Sequence, residues 1–277
     1  MTTHFLLRSL VFLLLLVSLS GCASQPWTTP VGQQDSRAFT TIFHQMQARD
    51  NQCPPTLEAD ITISWTTPME KRSIGGFLQL MAPSSLKFIT TNPLGQPLYA
   101  LATDGHTFQS INTLESKFMG GGLDSLLLFH DIPLDLLSEQ LTRLFTGRLP
   151  KGDVEILAVR DDGEKRGIWL TIAFQDGKIQ RQSHLLINMV EKRLLSRMIL
   201  ESPGKSTEED REPVATLSYS GWLNRHNCPI PTTLKITDFI FGSQLDIGFS
   251  EIGSNPQLKQ SHFSIKPPPG YLRQLLP

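Results

Sequence analysis

The chain has 277 residues, of which 39% are hydrophobic and 18% are charged, and its formal net charge at pH 7 is −1. The hydrophobic share is ordinary for a globular protein. The near-neutral charge supplies no basic field for a nucleic-acid backbone, so nucleic-acid binding is not expected.

The first residues carry the features of an export signal. Arg8 is the one charged side chain before an unbroken apolar run, residues 10–17, and small residues follow that run. The run is shorter than the roughly 20 residues that a transmembrane helix needs, which argues against an uncleaved anchor helix. A positive start, a short apolar centre and a small-residue end predict a signal peptide over residues 1–21.

The segment 19–22, Leu-Ser-Gly-Cys, follows the apolar run and resembles the bacterial lipobox, at which lipoprotein signal peptides are cut. The resemblance implies acyl chains on Cys22, which anchor a protein by about 0.8 kcal/mol per buried CH₂. Ala23 and Ser24 follow, and neither is the aspartate that retains such proteins in the inner membrane. The resemblance therefore implies a lipid-anchored protein of the outer membrane that faces the periplasm.

The residues after Cys22 predict a tether and then a helix. Residues 22–34 are mostly small or polar and include two prolines, which predicts a lipidated, flexible tether. Asp35 or Ser36 can cap a helix, and segment 51–55 ends it. Apolar side chains recur between them at helical spacing, at Phe39, Ile42, Phe43 and Met46.

Cys53 and Cys228 are the two remaining cysteines, and each precedes a proline. In an exported protein, two spare cysteines favour a disulfide over two free buried thiols. The chain-entropy model values closure of such a long loop at roughly 4–5 kcal/mol. No metal site is expected, because no second Cys or His lies at ligand spacing.

From residue 57 the hydrophobic period changes to two, which predicts a strand with one buried face. The alternating apolar residues are Leu57, Ala59, Ile61, Ile63 and Trp65. Asp104-Gly105 predicts a hairpin, and Gly75 and Gly76 predict a bulge or a sharp coil. Further strands are predicted at 74–81, 86–91, 98–103 and 107–112.

The middle of the chain is a leucine-rich helical insert. Three glycines, residues 120–122, indicate a hinge before a helix that is predicted at 123–130. Pro133 then opens a second helix, which is expected to end near Gly147.

A second set of strands follows the insert, interrupted by a charged loop at 201–213. These strands are predicted at 154–160, 168–174, 184–188, 194–200, 215–219, 233–237, 245–249 and 262–265. No repeat or linker divides the chain, so residues 35–277 are predicted to form a single domain. The expected fold is mainly β, a half-open antiparallel β-barrel of about 10–11 strands covered by a few α-helices.

Three stretches, 76–80, 92–98 and 263–270, resemble the LolA/LolB-like proteins, which are periplasmic carriers and outer-membrane acceptors of lipoproteins. The segment 132–150 resembles the helices that cover the mouth of the barrel in that family. The resemblance implies a helical lid over an apolar cavity that takes acyl chains, and Cys22 matches the anchored acceptors. The acceptors also carry a protruding loop tipped with leucine, whereas Met69 is the only apolar candidate at the matching place here.

Eleven residues are candidates for lining an acyl cavity. The helical insert contributes Leu126, Leu127, Phe129, Ile132, Leu137 and Leu141, and the strands contribute Trp65, Phe77, Phe88, Phe108 and Trp169. The alternative is that these side chains form an ordinary dry core, as apolar stripes and strand aromatics usually do. An error of one residue in strand phase would also reverse the face of each strand residue.

Three functions are consistent with the sequence. The first is a lipoprotein that binds acyl chains or lipidated cargo, with lipoprotein localisation as its setting. The second is a non-enzymatic assembly or accessory module for protein partners in the cell envelope, with a barrel filled by its own side chains. The third is a hydrolase, which is disfavoured because the sequence lacks the His-Glu-x-x-His, Gly-x-Ser-x-Gly and phosphate-loop motifs. No cofactor is expected.

Overall fold

The computed structural model describes residues 26–92, 94–130, 132–136, 138–201, 213–225, 227–240 and 242–277. The expected signal peptide, the lipidation site Cys22 and the cavity candidate Leu137 lie outside these residues.

The amino-terminal half combines one long helix with seven strands. In chain order it contains β1 (Trp27–Pro30), α1 (Gln33–Gln52), β2 (Thr56–Thr66), β3 (Lys71–Met81), β4 (Ser85–Thr91), β5 (Pro97–Thr103), β6 (Thr107–Asn112) and β7 (Lys117–Gly122). The predicted helix and the alternating strand at 57–65 are both confirmed. The predicted start of the helix is wrong, because it begins at Gln33, and Asp35 and Ser36 lie inside its first turn instead of capping it. Trp27–Pro30 pair with β8, so part of the expected tether packs on the sheet.

The helical insert is shorter and more broken than expected. It contains α2 (Leu123–Phe129), a 3₁₀ helix (Leu134–Leu136) and α3 (Leu141–Phe145). The second helix, predicted from Pro133 to Gly147, is therefore wrong in extent, although its two ends are helical. We refer to residues 123–146 as the lid segment.

The carboxyl-terminal half is almost entirely β. It contains β8 (Val154–Asp162), β9 (Ile168–Asp176), β10 (Ile179–Asn188), β11 (Arg193–Leu200), β12 (Pro213–Ser220), β13 (Leu223–Arg225), β14 (Cys228–Ile230), β15 (Thr233–Thr237), β16 (Gln244–Gly253), a 3₁₀ helix (Gln260–Phe263) and β17 (Leu272–Leu275). The strand predicted at 262–265 is wrong, because its first residues belong to that 3₁₀ helix and Ser264 only follows it.

Within the described residues, fifteen strands form one sheet in the order β1-β8-β9-β10-β11-β12-β15-β16-β2-β3-β4-β5-β6-β7-β17. Each neighbouring pair is antiparallel except β17, which runs parallel to β7, and β13 and β14 form a separate hairpin. The prediction of a mainly β, antiparallel fold with helices is confirmed. The described strands form a curved open sheet with edges at β1 and β17, whereas the sequence predicted a half-open barrel.

One face of the sheet carries the hydrophobic core, and we call it the inner face. Residues directly opposite each other in an antiparallel pair point to the same side. Ala59 lies opposite Leu78, and Leu78 lies opposite Phe88, so these three side chains share the inner face. The same register carries the inner face through β15 and β16 to the strands of the carboxyl-terminal half.

Gly76 lies on the inner face and does not form the bulge that its sequence suggested. It pairs in regular register with Ile61, and a Cβ atom at this position would collide with the Phe88 ring. The glycine therefore makes room for an aromatic side chain on the neighbouring strand.

Candidate functional site

Helix α1 fills the centre of the inner face. Phe43 is 0% exposed and joins a core cluster that also contains Leu78, Leu170 and Leu185. At the end of the helix the Asp50 carboxylate accepts a hydrogen bond from the Leu149 backbone at 3.0 Å, which fixes the helix against the chain after α3. The centre of the curved sheet is therefore occupied by the protein's own side chains.

The lid segment crosses from one half of the sheet to the other. Helix α2 contacts β6 and β7, the 3₁₀ helix at 134–136 contacts β11 and β12, and α3 returns to contact β4. Because these strands lie in opposite halves of the strand order, the lid segment bridges the inner face.

Hydrogen bonds hold the lid segment at several points along its length. The buried Tyr219 hydroxyl donates to the Leu144 carbonyl at 2.9 Å, and the Thr142 backbone donates to the Pro83 carbonyl at 3.0 Å. Arg181 donates through Nη1 to the Asp135 carbonyl at 2.9 Å. Opening the lid segment would require these bonds to be exchanged for bonds to water.

A cluster of buried polar side chains lies beneath the lid segment. The sequence analysis did not predict this cluster. Arg181 pairs with Asp176 at 3.0 Å, and Arg197 donates from Nε to the Ser183 hydroxyl at 3.3 Å. The Arg197 guanidinium also lies 5.1 Å from the centre of the Phe174 ring. Burial lowers the pKa of Arg197 and raises that of Tyr219. Arg197 lies on a mostly apolar strand, so its charge within that strand was the signal available for it. Arg181 lies between two glutamines and gives no such signal.

Beside the filled centre, the inner face of β3 to β7 retains partly exposed apolar side chains. We call this set the open margin, and it consists of Ile74, Tyr99, Leu101 and Met119. The corresponding inner-face residues of β9 to β12, such as Leu170 and Leu217, are buried. The inner face of β9 to β12 is therefore buried, whereas that of β3 to β7 combines buried residues such as Leu78 and Phe108 with the accessible open margin.

Seven of the predicted cavity residues belong to the inner face of the sheet or are partly exposed residues of the lid segment. Phe88 and Phe108 are buried core residues of β4 and β6, and Trp65 is partly exposed with its ring edge-to-face against Phe239 at 5.7 Å. Leu126 and Leu127 are partly exposed on α2, which contacts the strands of the open margin. Ile132 and Leu141 are also partly exposed.

Three predicted cavity residues lie elsewhere. Phe77 lies opposite Asp60 and Ile89, on the face away from the core, and is 38% exposed. Phe129 is 56% exposed at the end of α2. These placements correct the sequence assignment, which depended on strand and helix phase.

Trp169 is the third and lies on the outer face, although it is buried. Its ring packs edge-to-face against Trp27 of β1 at 5.7 Å, and its Nε1 donates to Asp162 at 2.8 Å. Trp27 also packs on His184, with ring centres 4.6 Å apart. Burial, with a contribution from the charge on Arg160, lowers the pKa of His184 to about 4. Trp169 thus helps to hold β1 on the sheet.

Cys53 and Cys228 form a disulfide in the structure, with their Cα atoms 5.6 Å apart and a sequence separation of 175. It joins the end of α1 to the β13–β14 hairpin, and this is the pairing that the sequence favoured. Among the described residues no group of three or more metal-ligating side chains occurs. No helix in the described part of the chain is both long and apolar enough to cross a membrane.

Comparison with solved structures shows a LolA-like fold. A DUF1329 family protein from Desulfovibrio piger superposes with a TM-score of 0.54 at 11% identity, covering 86% of this chain and 98% of the other. A LolA superfamily protein from Nitrosomonas europaea gives 0.50 at 14% identity, covering 82% and 97%. A putative outer membrane lipoprotein-sorting protein domain from Vibrio parahaemolyticus gives 0.48 at 9% identity, covering 80% and 94%.

The sequence comparisons add no closer relationship. No family model matches the sequence, and no curated protein matches it. At these identities the structural likeness establishes the fold alone.

Proposed function

We propose that this protein is a non-enzymatic outer-membrane lipoprotein, acylated on Cys22, that binds acyl chains or the lipid-bearing end of another lipoprotein. The observation that carries the proposal is the open margin on the inner face, bridged by the lid segment. The LolA-like fold supports it, because the similar structures include a LolA superfamily protein.

The driving force for binding is the transfer of apolar surface out of water, about 25 cal/mol per Å². An acyl chain at the open margin would cover partly exposed side chains such as Leu101 and Met119, together with Leu126 and Leu127 of α2. The filled centre leaves the margin as the place where a chain can enter without displacing α1. Movement of the lid segment would enlarge this space. The affinity therefore reflects the difference between two free energies, that of packing the lid segment on the sheet and that of packing the acyl chain in its place.

The loop between β2 and β3 supports action at a membrane. Met69 is 97% exposed at its tip, and the Thr67 hydroxyl accepts hydrogen bonds from the backbones of Met69 and Glu70 at 3.3 and 3.1 Å. The tip is therefore a fixed turn that presents one large apolar side chain to its surroundings. In the proposed function this side chain inserts among lipids while cargo is transferred.

An assembly module with a self-filled sheet is the second candidate, and the burial of Phe43 favours it. The two candidates differ in whether the open margin binds acyl chains. Displacement of a fluorescent fatty acid from the purified protein measures this, and we expect Leu127→Asp to weaken binding about tenfold, since it places a charge against the chain. Leu114→Asp, at an exposed turn residue between β6 and β7, is the matched control. Absence of binding by the unaltered protein would favour the assembly module.

A further inference from the structure

A small cavity lies at one end of the sheet, apart from the open margin. It forms where α1 ends, β2 begins, β16 ends and the β13–β14 hairpin folds over, and its volume is about 160 Å³. This is below the roughly 300–1,000 Å³ of sites for drug-sized ligands, so only a compact group fits. Its polar walls are Arg148, Arg225, Thr56 and Ser254.

Arg148 is the central feature of the cavity. It is 5% exposed, and its Nη1 donates to the Pro54 carbonyl at 3.0 Å, while its Nε has no hydrogen-bond partner among the described residues. Leaving a donor of a charged group unpaired in a buried place is costly. Because the Arg148 side chain lines the cavity, a negatively charged ligand with oxygen acceptors would offset the cost of burying its guanidinium.

The surrounding charges leave this arginine incompletely neutralised. The nearby acid, Asp50, already pairs with Arg49 at 2.9 Å and accepts the Leu149 backbone hydrogen bond. The positive charges of Arg143 and Arg148 both interact with this Asp50 carboxylate. Burial lowers the pKa of Arg148 to about 10, so its guanidinium is still protonated at neutral pH.

The remaining walls add donors and no negative charge. Arg225 and Arg148 form no ion pair with any acidic residue in the described part of the chain, and no carboxylate lines the cavity. The hydroxyls of Thr56 and Ser254 lie 3.3 Å apart. Glu58 lies opposite Gly253 in the sheet but does not line the cavity. Its carboxylate accepts hydrogen bonds from the side chains of Gln79 and Asn255.

We propose that this cavity binds a single phosphate group between Arg148 and Arg225. Guanidinium groups match phosphate oxygens in geometry and charge, and the hydrogen-bonded pair of Thr56 and Ser254 hydroxyls supplies one further donor. The same chemistry is offered by free phosphate and by the head group of a phospholipid. This site is independent of the acyl site, because its walls contain none of the open-margin residues.

The disulfide holds the two walls of the site together. Cys53 immediately precedes Pro54, whose carbonyl binds Arg148, and Cys228 pairs with Arg225 across the β13–β14 hairpin. Reduction of the Cys53–Cys228 bond frees the hairpin from the end of α1. Phosphate affinity should therefore fall when the disulfide is reduced.

Isothermal titration calorimetry of the purified protein tests the proposal, with inorganic phosphate in one arm and short-chain phosphatidic acid in the other. Binding in either arm identifies the source of the group. Arg225→Gln changes an exposed side chain, and we expect it to weaken binding about tenfold through loss of one charged partner. Arg148→Gln should weaken binding at least as much, and Arg72→Gln, at an exposed arginine of β3, should leave it unchanged.

Two results would overturn the proposal. One is the absence of heat in both arms at millimolar ligand, and the other is equal affinity of the unaltered protein and Arg225→Gln. If Arg148→Gln fails to fold, Arg225→Gln and the reduced protein decide the question. The inorganic phosphate arm does not depend on the acyl site, because this ligand has no acyl chain.

Discussion

At the scale of single residues, the contrast between Phe43 and Phe77 tests how the inner face is filled. Phe43 is fully buried in the core, whereas Phe77 lies on the outer face and is 38% exposed. We expect Phe43→Ala to lower the free energy of unfolding by about 3–5 kcal/mol, because it leaves a cavity in the core. Phe77→Ala should lower it by about 1 kcal/mol or less.

Urea denaturation of both variants measures this difference. Equal losses for Phe43→Ala and Phe77→Ala would contradict the assignment of the two faces. The comparison also tests the correction to the sequence analysis, which placed Phe77 on the side of the cavity.

The sequence correctly predicted which side chains of a strand are buried where the other face of that strand is exposed to solvent. In β2 the alternation of Leu57, Ala59 and Ile61 with polar residues reveals the buried face directly. In β9 both faces are buried, so apolar and polar residues do not alternate around Trp169. The sequence therefore does not show which side chains of this strand face the core. Phe77 follows two glycines, which carry no hydrophobic signal to set the phase of β3.

His184 makes stability depend on pH in a defined window. Its pKa is lowered from 6.5 to about 4 in the folded protein, chiefly by burial. Between these values the unfolded chain binds a proton that the folded chain does not, so stability falls as pH falls from about 6.5 to 4. The Asp162 carboxylate, with its pKa lowered from 3.8 to about 2 by Arg166, loses its contribution only at lower pH.

We expect His184→Gln to flatten the dependence of unfolding free energy on pH within that window. Denaturant titrations at several pH values measure the slope. His44→Gln, at an exposed residue of α1, is the control and should leave the slope as it is. An unchanged slope for His184→Gln would show that another group controls stability in this range.

At the scale of elements, the lid segment depends on a few specific anchors. Tyr219→Phe removes the hydroxyl that donates to the Leu144 carbonyl at 2.9 Å, at a cost of about 0.5–1.5 kcal/mol, and leaves that carbonyl the longer bond from the Gly147 backbone at 3.4 Å. We therefore expect faster amide hydrogen exchange in residues 141–146 than in the unaltered protein.

Hydrogen–deuterium exchange with mass spectrometry measures this, and Tyr271→Phe in the carboxyl-terminal segment provides the control. If exchange in 141–146 is the same in Tyr219→Phe and the unaltered protein, the hydroxyl is not an anchor of the lid segment.

The elements that the sequence analysis missed are short or lack a hydrophobic period. β7 includes three glycines, which suggested a hinge, yet it pairs with β6 along its length. Gly121 is required there because a Cβ atom would run into the Leu276 backbone, a contact that no local pattern reveals. β1 contains two threonines and a proline in four residues, so it resembled a tether.

At the scale of the whole molecule, the sequence supported a mainly β, antiparallel protein with a helical insert, and the structure confirms this. The sequence did not show whether the sheet closes into a barrel, because closure depends on the pairing of strands that are far apart in sequence. β2 pairs with β16 and so joins the two sets of hairpins, and β1 and β17 remain at the edges. The open margin is a consequence of that arrangement together with the position of α1.

The central claim is that acyl chains occupy the open margin beneath the lid segment. The most direct measurement is photocrosslinking of a fatty acid with a photoreactive tail to the purified protein, followed by peptide mapping. We predict that the labels fall on Leu101, Met119 and the α2 residues Leu126 and Leu127, and that unlabelled fatty acid competes with them. Labels confined to exposed side chains on other surfaces, such as Phe77 and Val190, or labels that do not respond to competitor, would contradict the account.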